Sequence, residues 1–211
     1  MGRYLGPRDK IERRIGEKLS LKGERSLGQK SALTRRPYPP GVHGKARAGK
    51  LSEFGQQLKS KQKIRNIYRL MEKQFKSYIK TALLTKKDPF KTILESLELR
   101  LDNLVFRAGL AQSRDQARQI VSHGHILVNG KRTNIPSRHI VLGESISVRE
   151  QSRRSPYFTA VIAQWLKNYQ PPEWLQVDKE ALTATLKSYP GMLESGLKNE
   201  DLQAVVEYYS R

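Results

Sequence analysis

Residues 113–133 read SRDQARQIVSHGHILVNGKRT, and this stretch leaves the chain few ways to fold. Ser113 with Gln116 three residues on forms a capping box, and Asp115 suits the positive end of a helix dipole. Ala117, Ile120 and Val121 supply the apolar side of a short helix, with Arg114 and Arg118 one turn apart on its flank. Gly124 ends that helix, since glycine takes the left-handed conformation without a Cβ penalty. Ile126, Leu127 and Val128 form a strand, Asn129-Gly130 supplies the positive φ angles of a tight turn, and Lys131-Arg132-Thr133 starts the return. A basic helix thus abuts a basic hairpin. Such a unit can clamp a sugar-phosphate backbone, because helix N–H groups favour an oxyanion and arginine pairs with phosphate bidentately. It can equally be a generic core whose arginines merely face solvent.

The flanking segments extend the pattern. Ile64, Ile67, Tyr68, Met71, Phe75, Tyr78 and Ile79 follow helical spacing, which predicts one helical stretch over about 51–84. Arg65, Arg69, Lys73, Lys76 and Lys80 fall on a second stripe of that same stretch, interrupted by Glu72 alone. Core packing is the preferred reading for Tyr68 and Tyr78, although both have rings that stack on bases. Asp88-Pro89 has the form of an N-cap with proline at the first helical position, and Gly109 is a natural stop after Ala108, with a break near Arg100. Ser145–Arg149 alternates as a strand, with Ile146 and Val148 on one face. Together with the helix that stops at Gly109, the stretch 113–149 predicts two short helices packed on a small antiparallel sheet. Ser155-Pro156 opens a helix through Trp165, strands are expected near 174–178 and 183–188, and DLQAVVEYYSR ends the chain as helix or strand.

Charge separates the two halves. Lys and Arg number 40 against 20 Asp and Glu, and successive blocks 1–50, 51–100, 101–150 and 151–211 carry +10, +7, +3 and 0. A gradient this steep makes residues 1–100 an electrostatic footprint for a polyanion, either nucleic acid or an anionic surface. Residues 1–50 have few apolar positions, and RRPYPPGVHGKARAGK (35–50) reads as extended or looped backbone. Alone, this arm is expected to be weakly ordered. No run of about 18 apolar residues is present, so no membrane span and no membrane partner are expected. The N-terminus lacks the apolar core of a signal peptide, and no cysteine exists to form a disulfide or thiolate site. Glycine phosphate loops, nucleophile elbows and paired-carboxylate clusters are absent, so no enzyme and no cofactor are expected. His123 and His125 flank a helix-ending glycine, which makes a poor metal site.

RLDNLVFRAGL (100–110) with SRDQARQIVSHGHILVNGKRTNIPS (113–137) resembles the small RNA-binding module named after ribosomal protein S-four. MGRYLGPR, RRPYPPGVHG (35–44), LSEFGQQLKSKQKIRNIYRLMEKQF (51–75), EWLQVD (173–178) and VVEYYSR extend the resemblance to the bacterial form of that ribosomal family over nearly the whole chain. The resemblance implies an α+β fold. A mainly helical domain with a basic arm would receive the module as an insertion: arm 1–45, helical domain 46–99 completed by about 172–211, and module with following helix 100–171. It implies a structural protein of the small ribosomal subunit, cytoplasmic or in an organelle's ribosome, that binds 16S rRNA first and nucleates assembly of the 30S body. It also implies contact with ribosomal protein S-five and other small-subunit proteins, an influence on translational accuracy, and a place where mRNA enters. The same module occurs in pseudouridine synthases and tyrosyl-tRNA synthetases, so an RNA-modifying or tRNA-charging enzyme is the competing reading. Against it, about 100 residues precede the module and about 60 follow, too few for a separate catalytic domain.

The residues expected to contact rRNA are Arg3, Tyr4, Arg8, Arg13, Arg14, Arg35, Arg36, Tyr38 and His43 in the arm. In the helices they are Lys59, Lys63, Arg65, Arg69 and Lys73, and in the module Arg114, Arg118, His123, Lys131 and Arg132. Lys45, Arg47 and Lys50 match the family's basic loop near the mRNA path. Many bacterial relatives hold zinc in the arm through four cysteines, and Asp9, Glu12, Ser26 and Ser31 stand at the matching positions here. Hard oxygen ligands fit structural zinc poorly, so no metal is expected.

Overall fold

The computed structural model describes residues 2, 4–46 and 49–210. The fold is α+β and divides into two compact units, Met1–Ile93 with Gly196–Arg211, and Leu94–Ser195. Among the described residues no helix is long and apolar enough to cross a membrane.

The first unit holds α1 (Arg8–Ile15), α2 (Glu24–Leu27), α3 (Ala32–Arg35), a 3-10 turn at Val42–Lys45, α4 (Glu53–Ile67), α5 (Glu72–Leu84) and α12 (Asn199–Ser210). α6 (Pro89–Glu98) runs across the division at 93/94. α12 lies against α4 and α5, and Ile64, Phe75, Ile79, Leu202 and Val205 are fully buried there. The single helix expected over 51–84 is two. Ser52 caps α4 by accepting from the Gly55 N–H at 3.2 Å. α4 stops where Arg69 adopts φ +55° and the Leu70 N–H reaches back to the Arg65 carbonyl at 3.1 Å. This is a Schellman ending with arginine at the left-handed position that glycine usually fills, so the sequence carried no stop signal.

The arm is more structured than its apolar pattern suggests. Ile15, Leu19 and Leu21 form a small buried cluster with Ile11 and Ile67 against it. A polar device organises the loop between them. Glu12 is 1% exposed, and its Oε1 accepts from the Leu19 and Leu21 N–H groups at 3.3 and 3.1 Å. Asp9 pairs with Lys22 at 2.7 Å, and the Lys22 N–H donates to Ser26 Oγ at 3.0 Å. Three of the four positions matched to cysteines therefore tie one loop through direct hydrogen bonds. Ser31, the fourth, is buried and its Oγ has no hydrogen-bond partner.

The second unit begins in α6 and continues through α7 (Leu101–Arg107), α8 (Arg114–Ser122), β1 (Ile126–Val128), β2 (Lys131–Thr133) and β3 (Ser145–Val148). α9 (Glu150–Arg153), a π turn (Tyr157–Ile162), α10 (Ala163–Asn168), β4 (Leu175–Asp178), β5 (Thr183–Leu186) and α11 (Met192–Ser195) complete it. The helix starts and stops read from the sequence are present. Asp88 Oδ1 accepts from the Phe90 N–H at 2.9 Å, and Ser113 Oγ accepts from the Gln116 N–H at 3.3 Å. Asn129 (φ +49°) and Gly130 (φ +77°) make the hairpin turn between β1 and β2. The sheet is antiparallel and five-stranded, in the order β2-β1-β3-β5-β4.

That order corrects the expected boundaries. β5 pairs with β3 (Ser145↔Thr185 to Ser147↔Thr183) and β4 with β5, so 175–186 belong to the module's sheet rather than to the helical domain. Residues 196–211 alone rejoin the first unit. Trp174 is buried in the module's core with Ile126, Val128, Ile146 and Val148. The hydrogen bonds around Glu12 set an expected outcome for the arm. Glu12→Ala leaves two buried N–H groups unpaired and should destabilise the first unit by roughly 2–4 kcal/mol. Glu12→Gln keeps an acceptor oxygen and should lose less than half of that, as read from urea unfolding of the full chain.

Candidate nucleic-acid interface

The module's arginines are sorted by two buried carboxylates. Glu98 is 0% exposed and takes both Arg107 donors, Nε to Oε2 at 3.0 Å and an Nη to Oε1 at 2.7 Å. The Asn103 side-chain amide also donates to Glu98 Oε2 at 2.7 Å, and its Oδ1 accepts from Arg114 Nε at 2.8 Å. Arg114 is half-buried with its guanidinium carbon 4.5 Å from the Phe106 ring centroid. Asp102 receives Arg100 in the same two-pronged way, at 3.0 and 2.7 Å. Arg118 is also buried, 3.9 Å from Asp102 Oδ2. The expected exposed pair is thus corrected. Arg118 turns inward because α8 packs on α7 and brings Asp102 beneath it.

The hairpin side is open. His123, Lys131 and Arg132 are exposed. An Arg132 Nη donates to the His123 carbonyl at 3.4 Å, and its guanidinium lies across Gly124, where a Cβ would collide with it. Beside the hairpin a cavity of about 290 Å³ is lined by Gln116, Gln119, His123, His125 and Tyr157. Burial first, then the neighbouring His123, Arg132 and Arg149, hold His125 below the usual histidine range. Its Nδ1 lies 2.9 Å from Ser152 Oγ.

In the first unit the expected cations divide likewise. Lys63 is buried between Glu17 (2.6 Å) and Asp201 (2.7 Å), and Arg69 is buried in the α4–α5 break. Neither presents its charge to solvent, which corrects Arg69's place on the basic stripe and leaves Lys63 inside the fold. Arg65 is half-buried, 3.7 Å from Glu72. Arg13 staples the arm, its Nε donating to the Arg36 and Tyr38 carbonyls at 3.2 and 3.0 Å while its guanidinium covers the Tyr38 ring. Arg8 is half-buried at the start of α1. Tyr4, Arg14, Arg35, Arg36, His43, Lys45, Lys50, Lys59 and Lys73 are exposed. Arg3 and Arg47 lie outside the described residues.

The structure gathers cations that the sequence did not single out. Lys10, Arg25 and Lys30 join Arg13, Arg35 and Arg36 around a cavity of about 280 Å³ beside Asp9. Arg25 and Lys30 sit in a segment without periodicity, so no sequence signal linked them to Arg35. Among the described residues no group of three or more His, Cys, Asp or Glu is arranged to hold a metal ion.

A basic helical unit and a five-stranded module with an open basic hairpin together define a protein built on an S4-type domain. Residues 99–146 match the family described as S4 domain, and residues 3–99 match the one described as Ribosomal protein S4/S9 N-terminal domain. The chain belongs to the uS4 family of small-subunit ribosomal proteins. It is 46% identical to small ribosomal subunit protein uS4 of Syntrophomonas wolfei over 212 positions, covering all of both chains. The corresponding proteins of Halothermothrix orenii and Thermotoga maritima are 45% and 44% identical, again over the full length of each.

The buried pairs make the arginines unequal. Arg118→Glu sets two carboxylates together in the interior and should cost the module roughly 3–5 kcal/mol. Lys131→Glu on the open hairpin should stay within about 0.5 kcal/mol of the parent in the same urea titration. His125 adds a pH dependence. Its folded pKa is depressed, so the unfolded chain takes up the proton first. The stability from neutral His125 is present above about pH 6.5 and lost as pH falls through the lower folded value. Urea midpoints should fall from pH 7 to pH 5, and His125→Gln should shrink that fall.

Proposed function

We propose that this chain is a structural, non-enzymatic binder of 16S rRNA in the small ribosomal subunit, gripping folded RNA through the open cations of its first unit and its hairpin. The observation that carries the reading is the cationic cavity of the arm, lined by six Lys and Arg side chains and a single carboxylate, Asp9, which is itself paired with Lys22. Such a gathering of cations is costly by self-repulsion and becomes favourable when phosphate supplies the counter-charge. Lys73, Lys76 and Lys80 add an exposed basic face on α5. In the module, His123 and Arg132 stand at the C-terminal end of α8 with Lys131 on the same hairpin, while Arg114, at the first turn of α8, is held by Asn103. Structured RNA is recognised largely through shape, phosphate and 2′-hydroxyl contacts, which rigid basic surfaces of this kind supply.

Membership of the uS4 family supports the finer parts of the proposal. These are early binding that nucleates assembly of the 30S body, contact with ribosomal protein S-five and other small-subunit proteins, and a contribution to translational accuracy. The exposed Lys45 and Lys50, with Arg47 between them in sequence, are the side chains proposed to meet mRNA where it enters. The competing enzyme reading finds no support in residues 1–98, whose described part forms the arm and α4–α6.

Counterion release sets the test. Affinity for a 16S-type rRNA fragment should fall by roughly 0.7–0.9 log units per log unit of salt for each phosphate neutralised. Filter binding at several salt concentrations reads the slope, and a flat response would remove the proposal. Arg35→Ala combined with Arg36→Ala should reduce the slope by about two phosphates' share.

A further inference from the structure

A second cavity in the first unit differs in chemistry from the cationic one. It has a volume of about 480 Å³ and lies between α1, α4 and the segment at Tyr4. Ile11, Ile15 and Leu58 give it apolar walls, and Lys10 and Arg14 add exposed cations. Gln62 and Asn66 bring amide groups to the side formed by α4. Tyr4 lines it as well and is 41% exposed. Its place is set from within. The buried Arg69 stacks its guanidinium 5.5 Å from the Tyr4 ring centroid and donates to the Tyr4 carbonyl at 3.4 Å. The left-handed backbone at Arg69 directs that contact.

Phosphate alone needs no apolar slot, and an apolar ligand needs no cationic rim. An aromatic ring with aliphatic walls, amides, two exposed cations and the half-buried Arg65, which donates to Gln62 at 2.6 Å, matches one nucleotide: base inside, phosphate at the rim. We propose that this cavity receives a single unpaired nucleotide of the bound RNA, its base stacked on Tyr4 and its phosphate met by Lys10 and Arg14. The proposal rests on the rRNA-binding reading and adds to it a site for one extruded base. A duplex has no face to offer the slot, so the site selects single-stranded positions within a folded RNA. Stacking of this kind tolerates any base, and the amides of Gln62 and Asn66 are the groups placed to favour one edge over another.

Two measurements on the full chain test it. The first titrates 2-aminopurine riboside 5′-monophosphate and follows its fluorescence, which stacking quenches. Parent and Tyr4→Phe proteins should quench it, Tyr4→Ala should not, and inorganic phosphate at equal concentration should not displace it. The second uses the 16S-type rRNA fragment. Tyr4→Ala should lower affinity about tenfold with an unchanged salt slope, because stacking is lost and no phosphate contact is removed. Arg14→Ala should instead lower the slope by about one phosphate's share. Circular dichroism checks that each variant is folded. No quench by the parent, equal quench by Tyr4→Ala, or full displacement by phosphate overturns the pocket, even where rRNA binding is intact. Quenching that depends on Tyr4 in a chain that fails to bind rRNA would uphold the pocket and remove the proposed function instead.

Discussion

Carboxylates are the scarce component of this chain, 20 against 40 lysines and arginines, and the fold depends on where they are buried. An unpaired guanidinium or ammonium in the interior costs several kcal/mol, and an unpaired carboxylate costs as much. A buried acid therefore fixes its donors: backbone N–H groups at Glu12, and arginines at Glu98 and Asp102. Glu98 fixes Arg107 and Asn103, and through Asn103 it fixes Arg114. Asp102 fixes Arg100, with Arg118 close by. In the first unit, Asp201 and Glu17 hold Lys63, while Glu72 accepts from Lys61 at 2.9 Å and from the Tyr209 hydroxyl at 2.7 Å. Burial pushes Glu72 up, yet the hydrogen bonds from Lys61 and Tyr209 outweigh it and hold the carboxyl below its ordinary value.

This scarcity divides the cations by role. Lys63, Arg69, Arg100 and Arg118 are buried and tied into the interior, so they add to the formal charge without adding to the surface that meets a partner. The charge gradient along the chain overstates the reach of some blocks for that reason. Exposed cations remain dense in the first half, among them Arg14, Arg35, Arg36, Lys73, Lys76 and Lys80. Rigid placement matters for an RNA surface. A lysine on a fixed helix loses little further entropy on meeting phosphate, whereas a loose one loses rotamer freedom at the moment of binding.

The parts legible in the sequence are those with strong local chemistry. The Ser113 cap, the Asn129-Gly130 turn and the Asp88-Pro89 start all have one low-energy conformation each, and all three are present. The break at Arg69 was hidden because its left-handed residue is neither glycine nor asparagine. The arm's order was hidden because it rests on Glu12 and Lys22, polar residues that hydropathy patterns count as exposed. Arg118 was misplaced for a related reason. At helical spacing it flanks the apolar side, and the sequence does not reveal that Asp102 waits across α7 to receive it. The strands at 175–178 and 183–186 were visible as strands, but β5 joins the sheet through β3, about 40 residues back and beyond any local pattern, and β4 joins it only through β5.

The two cavities of the first unit show how a chain with few apolar residues obtains a specific surface. One gathers six lysines and arginines around a single cavity. The other adds an aromatic ring held by a buried arginine, with aliphatic walls. Electrostatic contacts fix where a phosphate backbone runs and weaken uniformly with salt, while a stacked base adds affinity that salt does not remove. A surface with cations alone would bind any polyanion of suitable shape. Adding a slot for one base ties that binding to an RNA with an unpaired nucleotide at the matching place, and the constraint comes from Arg69, a residue whose charge never reaches the surface.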